Sequence, residues 1–220
     1  AFGHLRQDYA LLHSGGALGR GCGPLVIASS PLGMDQLRNR KIAIPGELTT
    51  ANLLLQLYGE GFGQVVPMPF DRILSTVARG ELPAGVIIHE SRFTYQQQGL
   101  HQVLDLGQWW EETTGKPIPL GGILVKRSLG PHLIAEIDAA LRRSIEFAFA
   151  HPEISRPYIK AHAQELSDGV IDSHIGLYVN DFSLDLGREG LEAVTTLLAR
   201  AEQRKLIPPC DLPLFGAPGS

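Results

Sequence analysis

Between residues 24 and 125, short apolar runs alternate with segments of helical periodicity, and that alternation restricts the chain to layered α/β architectures. Pro24-Leu25-Val26-Ile27-Ala28 is apolar throughout and bounded by Gly23 and the Ser29-Ser30-Pro31 breaker, which predicts a buried strand. Arg40-Lys41-Ile42-Ala43-Ile44 is the next, stopped by Pro45-Gly46. Thr49 or Thr50 then caps a helix with Leu53, Leu54, Leu57 and Tyr58 at helical spacing. Gln64 to Met68 reads as a third strand. Asp71 is expected to cap a helix aligning Ile73, Leu74, Val77 and Ala78, with Gly80 ending it. Ala84 to Ile88, Val103 to Leu106 and Gly121 to Val125 supply three more strands. Strands alternating with helices of this length predict βαβ units and a mostly parallel sheet.

Beyond Lys126 the pattern becomes helical. Leu133, Ile134, Ile137, Leu141 and Ile145 recur at 3–4 spacing until His151-Pro152 interrupts them. Helices around Ile154–Glu165, Asp168–Tyr178 and Arg188–Lys205 follow, then an extended strap at Pro208–Pro213 and a frayed end at Gly216–Ser220. The 220 residues carry a net charge of -4 and 44% hydrophobic residues, the composition of an ordinary globular chain. No dense Lys/Arg stripe marks a nucleic-acid surface, and no apolar run approaches the ~18 residues of a membrane span. Cys22 and Cys210 make no disulfide framework and fit a reducing compartment.

An internal echo bears on domain organisation. Gly23 to Ser30 resembles Gly122 to Ser128: both are glycine-led apolar strands ending in polar residues. They are either two ordinary buried strands or a pair of crossovers, lying side by side and carrying the chain into and out of a lobe. The second reading gives a first lobe of residues 1–29 and 122–220 and a second of residues 30–121. A site would then lie in the cleft between them, where α/β sheets offer loops and helix N-termini to ligands.

Three stretches carry candidate chemistry. Ser14 to Gly23 is glycine-dense, but its spacing is not that of a dinucleotide or phosphate loop; it reads as a hinge or as a backbone lining close to a ligand. Pro45-Gly46-Glu47-Leu48-Thr49-Thr50-Ala51 joins strand to helix, where free N–H groups and Thr hydroxyls suit an anion; the plainer reading is an N-cap. Ile87-Ile88-His89-Glu90-Ser91-Arg92 brings a histidine to the C-terminal end of a strand. Histidine there is either a hydrogen-bonded core residue, beside a solvated Glu90–Arg92 pair, or a group poised for proton transfer near neutral pH. Glu90 or Arg92 is then the candidate to set its tautomer. Phe93 stands where a zincin would need its second histidine, and the remaining histidines show no ligand spacing. Trp109-Trp110 either pack a helix on the sheet or wall a pocket for a flat ligand.

Taken in order, Ser14–Gly21, Gly46–Ala51, Phe70–Leu74, His89-Glu90-Ser91-Arg92-Phe93-Thr94-Tyr95, Asp105–Glu111 and His162–Ser167 resemble the 1,4-dihydroxy-6-naphthoate synthase family of the futalosine route to menaquinone. The resemblance runs over essentially the whole chain. It implies a type II periplasmic-binding-protein-like fold of two α/β lobes joined by two crossover strands, used as a cytoplasmic lyase. The implied substrate is a small molecule, cyclic dehypoxanthine futalosine, cleaved to 1,4-dihydroxy-6-naphthoate and dihydroxyacetone without metal or organic cofactor. His89 matches the family's catalytic histidine; Thr50 and Ala51 match its substrate-contacting pair.

Members of that family carry about sixty further residues in front, enough for roughly two βα units. These include a glycine-rich strand–loop ending in Asp-Thr and a Lys-Leu-Ser run, so the first lobe is expected to be incomplete at its N-terminal side. Two other functions share the implied fold. A solute-binding protein would bind without chemistry, and a chorismate dehydratase would lack the His-Glu-Ser-Arg-Phe-Thr run. No partner protein, nucleic acid or membrane is implied, and the sequence carries no signature of an oligomeric state.

Overall fold

The computed structural model describes residues 1–89, 91–162 and 168–216. Glu90, residues 163–167 (which include the end of the helix expected over Ile154–Glu165) and the last four residues lie outside the described residues. In chain order the elements are α1 (Phe2–Leu5), β1 (Tyr9–Leu11), β2 (Ala17–Gly19), β3 (Leu25–Ala28), β4 (Ile42–Ile44), α2 (Thr50–Tyr58), β5 (Val65–Pro67), α3 (Phe70–Ala78), β6 (Ala84–Ile87), α4 (Ser91–Thr94), β7 (His101–Asp105) and α5 (Leu106–Thr114). Then follow β8 (Ile118–Gly121), β9 (Leu124–Lys126), α6 (Gly130–Ala150), α7 (Pro152–His162), α8 (Asp168–Tyr178), α9 (Asp181–Leu184) and α10 (Gly187–Gln203). Among the described residues no helix is long and apolar enough to cross a membrane.

The chain divides into two compact units, residues 1–19 with 119–220, and residues 20–118. The division falls directly after β2 and at the start of β8, two strands that pair with each other. The expected crossover pair is therefore corrected. The Leu25 strand lies inside the five-stranded sheet of the second unit, while the Leu124 strand pairs with β1. Apolar content marks both as buried strands, whereas β2 and β8 have glycine or proline within them, which weakens their strand signal.

In the second unit the sheet order is β5-β4-β6-β3-β7. β4 runs parallel to β5 and β6, whereas β3 runs antiparallel to both β6 and β7. The sheet is thus mixed, with its first strand inserted against the direction of the others. β3, β4 and β6 are buried at every position, as strands covered on both faces must be. Leu25, Ile27, Ala43 and Ile87 share one face and pack with Ile73, Leu74 and Val77 of α3. Gly85 lies on that face too; a Cβ there would sit 2.5 Å from Ile73 Cγ2, so only glycine lets α3 approach. α2 and α5 pack against each other, α2 also on β6 and α5 on β3. Pro67 is tolerated because β5 is an edge strand. Asp71 does not cap α3: Pro69 occupies the N-cap position and Asp71 falls within the first turn.

In the first unit β1 pairs antiparallel with β9, placing Ala10, Leu12 and Val125 against Ile134 of α6. Asp138 of α6 is buried, and its two carboxylate oxygens accept the N–H groups of Ser14 at 2.9 Å and His13 at 3.3 Å. The start of the glycine-dense stretch is packed, since a Cβ on Gly15 or Gly16 would meet Ile123 or Leu186 at 2.6 Å, whereas Gly21 is exposed with open space around it. Residues 208–213, the expected strap, form no regular element, and beyond them Phe215 bridges Leu11 in parallel. Gly216 is not frayed; its N–H donates to the Leu11 carbonyl at 2.9 Å.

One backbone crossing in the second unit leaves no room for a side chain. A Cβ on Gly23 would lie 2.3 Å from Gly107 Cα, and one on Gly107 would lie 2.7 Å from Gly23 Cα. Backbone cannot yield as a flexible side chain can, so Gly23→Ala should destabilise the protein by roughly 2–4 kcal/mol, read from urea unfolding midpoints. An unchanged midpoint would show that the crossing relaxes freely.

Candidate active site

The C-terminal ends of β4, β5, β6 and β7 lie on the same edge of the sheet as the start of β3, because β3 runs the other way. Loops leaving that edge carry the residues singled out from the sequence, the position at which open α/β sheets bind ligands.

His89 follows β6 by two residues. It is exposed, so it is not a core histidine. Its backbone is left-handed, with φ 57°, a conformation that costs a non-glycine residue about 1–3 kcal/mol and persists only where neighbours impose it. The Arg92 N–H donates to the His89 carbonyl at 3.2 Å, closing the turn. The imidazole meets Phe70 edge-on, with ring centroids 5.2 Å apart and planes at 70°. Phe70 opens α3 after β5, and β4 lies between β5 and β6, so the two rings meet across the end of β4.

At that end stands the Gly46–Ala51 turn. Thr49, not Thr50, is the N-cap of α2: its hydroxyl accepts the Asn52 N–H at 3.3 Å and donates to the Gly46 carbonyl at 2.7 Å. Thr50 begins the helix and is half-buried, while Ala51 is 2% exposed.

Arg92 and Asp105 hold the same edge together. The Arg92 guanidinium donates to the Gly23 carbonyl and, at 2.6 Å, to Asp105 Oδ2. The other carboxylate oxygen of Asp105 accepts Gly107 N–H at 2.9 Å and Gln108 N–H at 3.0 Å, capping α5. Arg92 therefore belongs to a largely buried pair with Asp105, where the sequence suggested a solvated partner for Glu90. Trp110 is fully buried, its indole N–H donating to the Pro117 carbonyl at 3.0 Å, and Trp109 sets its ring against Tyr58. Both tryptophans pack α5. The sequence offers Arg92 as a neighbour of His89, but not its pairing with Asp105 nor the contact of Phe70 with His89, since these partners are brought in by other strands of the sheet. Among the described residues no group of three or more His, Cys, Asp or Glu is placed to hold a metal ion.

Cys22 lies beside this pair, 1% exposed, and burial pushes its thiol up to about 11 against the opposing pull of the Arg92 charge. A protonated, covered thiol is a poor nucleophile. Iodoacetamide at mildly alkaline pH should therefore label Cys210, which is half-buried, well before Cys22. Peptide mapping checks this, and equal labelling of the two under native conditions would contradict it.

A family model described as menaquinone biosynthesis matches residues 1–203. A Thermus thermophilus protein named 1,4-dihydroxy-6-naphtoate synthase is 56% identical over 215 residues, spanning 98% of this chain and 78% of that one. A solved Archaeoglobus fulgidus structure superimposes with a TM-score of 0.84 at 38% identity, covering 91% of this chain and 74% of the other. The ligand-binding component of an ABC-type import system from Staphylococcus aureus matches with a TM-score of 0.65 at 12% identity, over 96% of this chain and 72% of its own. That last likeness is one of fold, and places the architecture among periplasmic solute-binding-protein-like folds.

Proposed function

The chain belongs to the menaquinone biosynthesis family, and we propose that within it the protein is a cytoplasmic carbon–carbon lyase converting cyclic dehypoxanthine futalosine to 1,4-dihydroxy-6-naphthoate. The observation that carries this reading is His89. An exposed imidazole, on a left-handed turn at the end of a buried strand and set against Phe70, is placed to exchange a proton with a ligand on the sheet edge. The 56% identity to a protein named for this activity supports the same assignment.

The chemistry asks for a base. Removing a hydroxyl proton from the substrate lets the alkoxide collapse to a carbonyl as the adjacent carbon–carbon bond breaks. The bonding electrons pass into the neighbouring carbonyl system, which leaves as an enol and takes up a proton. His89 accepts the first proton and can return it. Thr50 and the first-turn backbone of α2 hold an anionic or polar end of the substrate, as helix N-termini do. Holding the substrate at that end sets the geometry of the breaking bond against the imidazole.

His89→Ala should lower kcat by ~10²–10⁴-fold with little change in KM, the range expected on removing a general base. His89→Gln should be as poor, since an amide holds a hydrogen bond but does not take the proton. Near-normal kcat in either variant removes His89 from the base role. Thr50→Val should raise KM with a smaller effect on kcat, because uniform binding is lost. An unchanged KM places the anchoring contact elsewhere.

A further inference from the structure

Arg92 sits one residue inside α4, the single turn of helix that follows the His89 turn. Its backbone N–H closes that turn on the His89 carbonyl. Its side chain, 16% exposed, reaches in the other direction to two anchors on separate strands, the Gly23 carbonyl before β3 and the Asp105 carboxylate ending β7. Both anchors are themselves fixed. The Gly23 backbone is pressed against Gly107, and Asp105 caps α5 with its second oxygen. A planar guanidinium satisfies two acceptors at once in a set geometry, which a lysine ammonium does not reproduce.

α4 has only four residues, too few to hold its own position by internal hydrogen bonding. His89 occupies a backbone conformation that its own side chain disfavours. Contacts from outside the turn must keep both in place: Phe70 meets the imidazole, and the Arg92 side chain ties α4 to the start of β3 and the end of β7. We infer that Arg92 is a positioning residue for His89: by clamping α4 to Gly23 and Asp105 it sets the direction in which the imidazole is presented. This rests on His89 acting as the base. It is separate from any contact between Arg92 and substrate, because the guanidinium is turned to its two protein acceptors.

The test uses His89→Ala, Arg92→Met, Arg92→Lys and the double variant His89→Ala/Arg92→Met, each confirmed folded by circular dichroism before assay. Misplacing a reacting group by about 1 Å can cost ~10²-fold. Arg92→Met should therefore lower kcat ~10–100-fold with KM within ~3-fold, and Arg92→Lys should recover part of the loss. The double variant should be no slower than His89→Ala alone, since a group that acts only through His89 has nothing left to position. Should Arg92→Met fail to fold, Asp105→Asn replaces it: the amide oxygen can still cap α5 while the charge facing Arg92 is gone, and the same pattern is expected. Near-normal kcat in Arg92→Met, or a double variant slower than His89→Ala by the full Arg92→Met factor, overturns the positioning role. If His89→Ala itself keeps its kcat, the base assignment fails and the positioning role with it. If His89→Ala is crippled while Arg92→Met is normal, only the positioning role fails.

Discussion

The buried pairing of Arg92 with Asp105, laid over the Gly23–Gly107 crossing, is the constraint on which the second unit's working edge depends. β3 enters the sheet antiparallel between β6 and β7, so its start must be brought to the same edge as the C-terminal ends of its neighbours. Two glycines let the backbones meet there without side chains between them. Arg92 then joins that crossing to the turn after β6, and Asp105 joins it to the start of α5. Removing one partner of such a pair would strand the other charge among buried groups, a loss of roughly 3–5 kcal/mol. The arrangement is thus both a fastening of the fold and the support of the His89 turn.

Much of this could be read from the sequence. Buried strands announce themselves by unbroken apolar runs, so the strands at Leu25, Ile42 and Ala84 appear where expected. The turn from β4 into α2 carries its own signals in Pro45, Gly46 and Thr49, although only the structure chooses Thr49 over Thr50 as the cap. His89 stands out because an apolar strand delivers it. Its exposure and left-handed backbone remove the reading of a core histidine.

What stayed hidden was the pairing of elements distant in sequence. Strand direction follows from which neighbours a strand meets, and nothing in Leu25–Ala28 declares that it runs against the rest of its sheet. The division between units follows β2 and β8, whose few residues compete poorly for attention with the stronger apolar runs nearby. In the sequence Arg92 pairs most simply with Glu90, two positions away, since local charge pairs are what a sequence displays. Its actual partner, Asp105, is brought over by β7. Asp71 follows the same logic: a good capping residue two positions too late, because Pro69 already occupies the cap.

The likeness in fold to a ligand-binding component of an import system and the membership of a biosynthetic family meet in one architecture, and the proposed lyase role differs from plain binding in requiring a proton-transferring group, for which His89 is the proposed one. The direct measurement is product formation. Purified protein incubated with cyclic dehypoxanthine futalosine, followed by liquid chromatography and mass spectrometry, should release 1,4-dihydroxy-6-naphthoate over many turnovers per chain, with an equimolar three-carbon fragment. Saturable binding of the same compound with its mass unchanged would contradict the account and make this a binding protein.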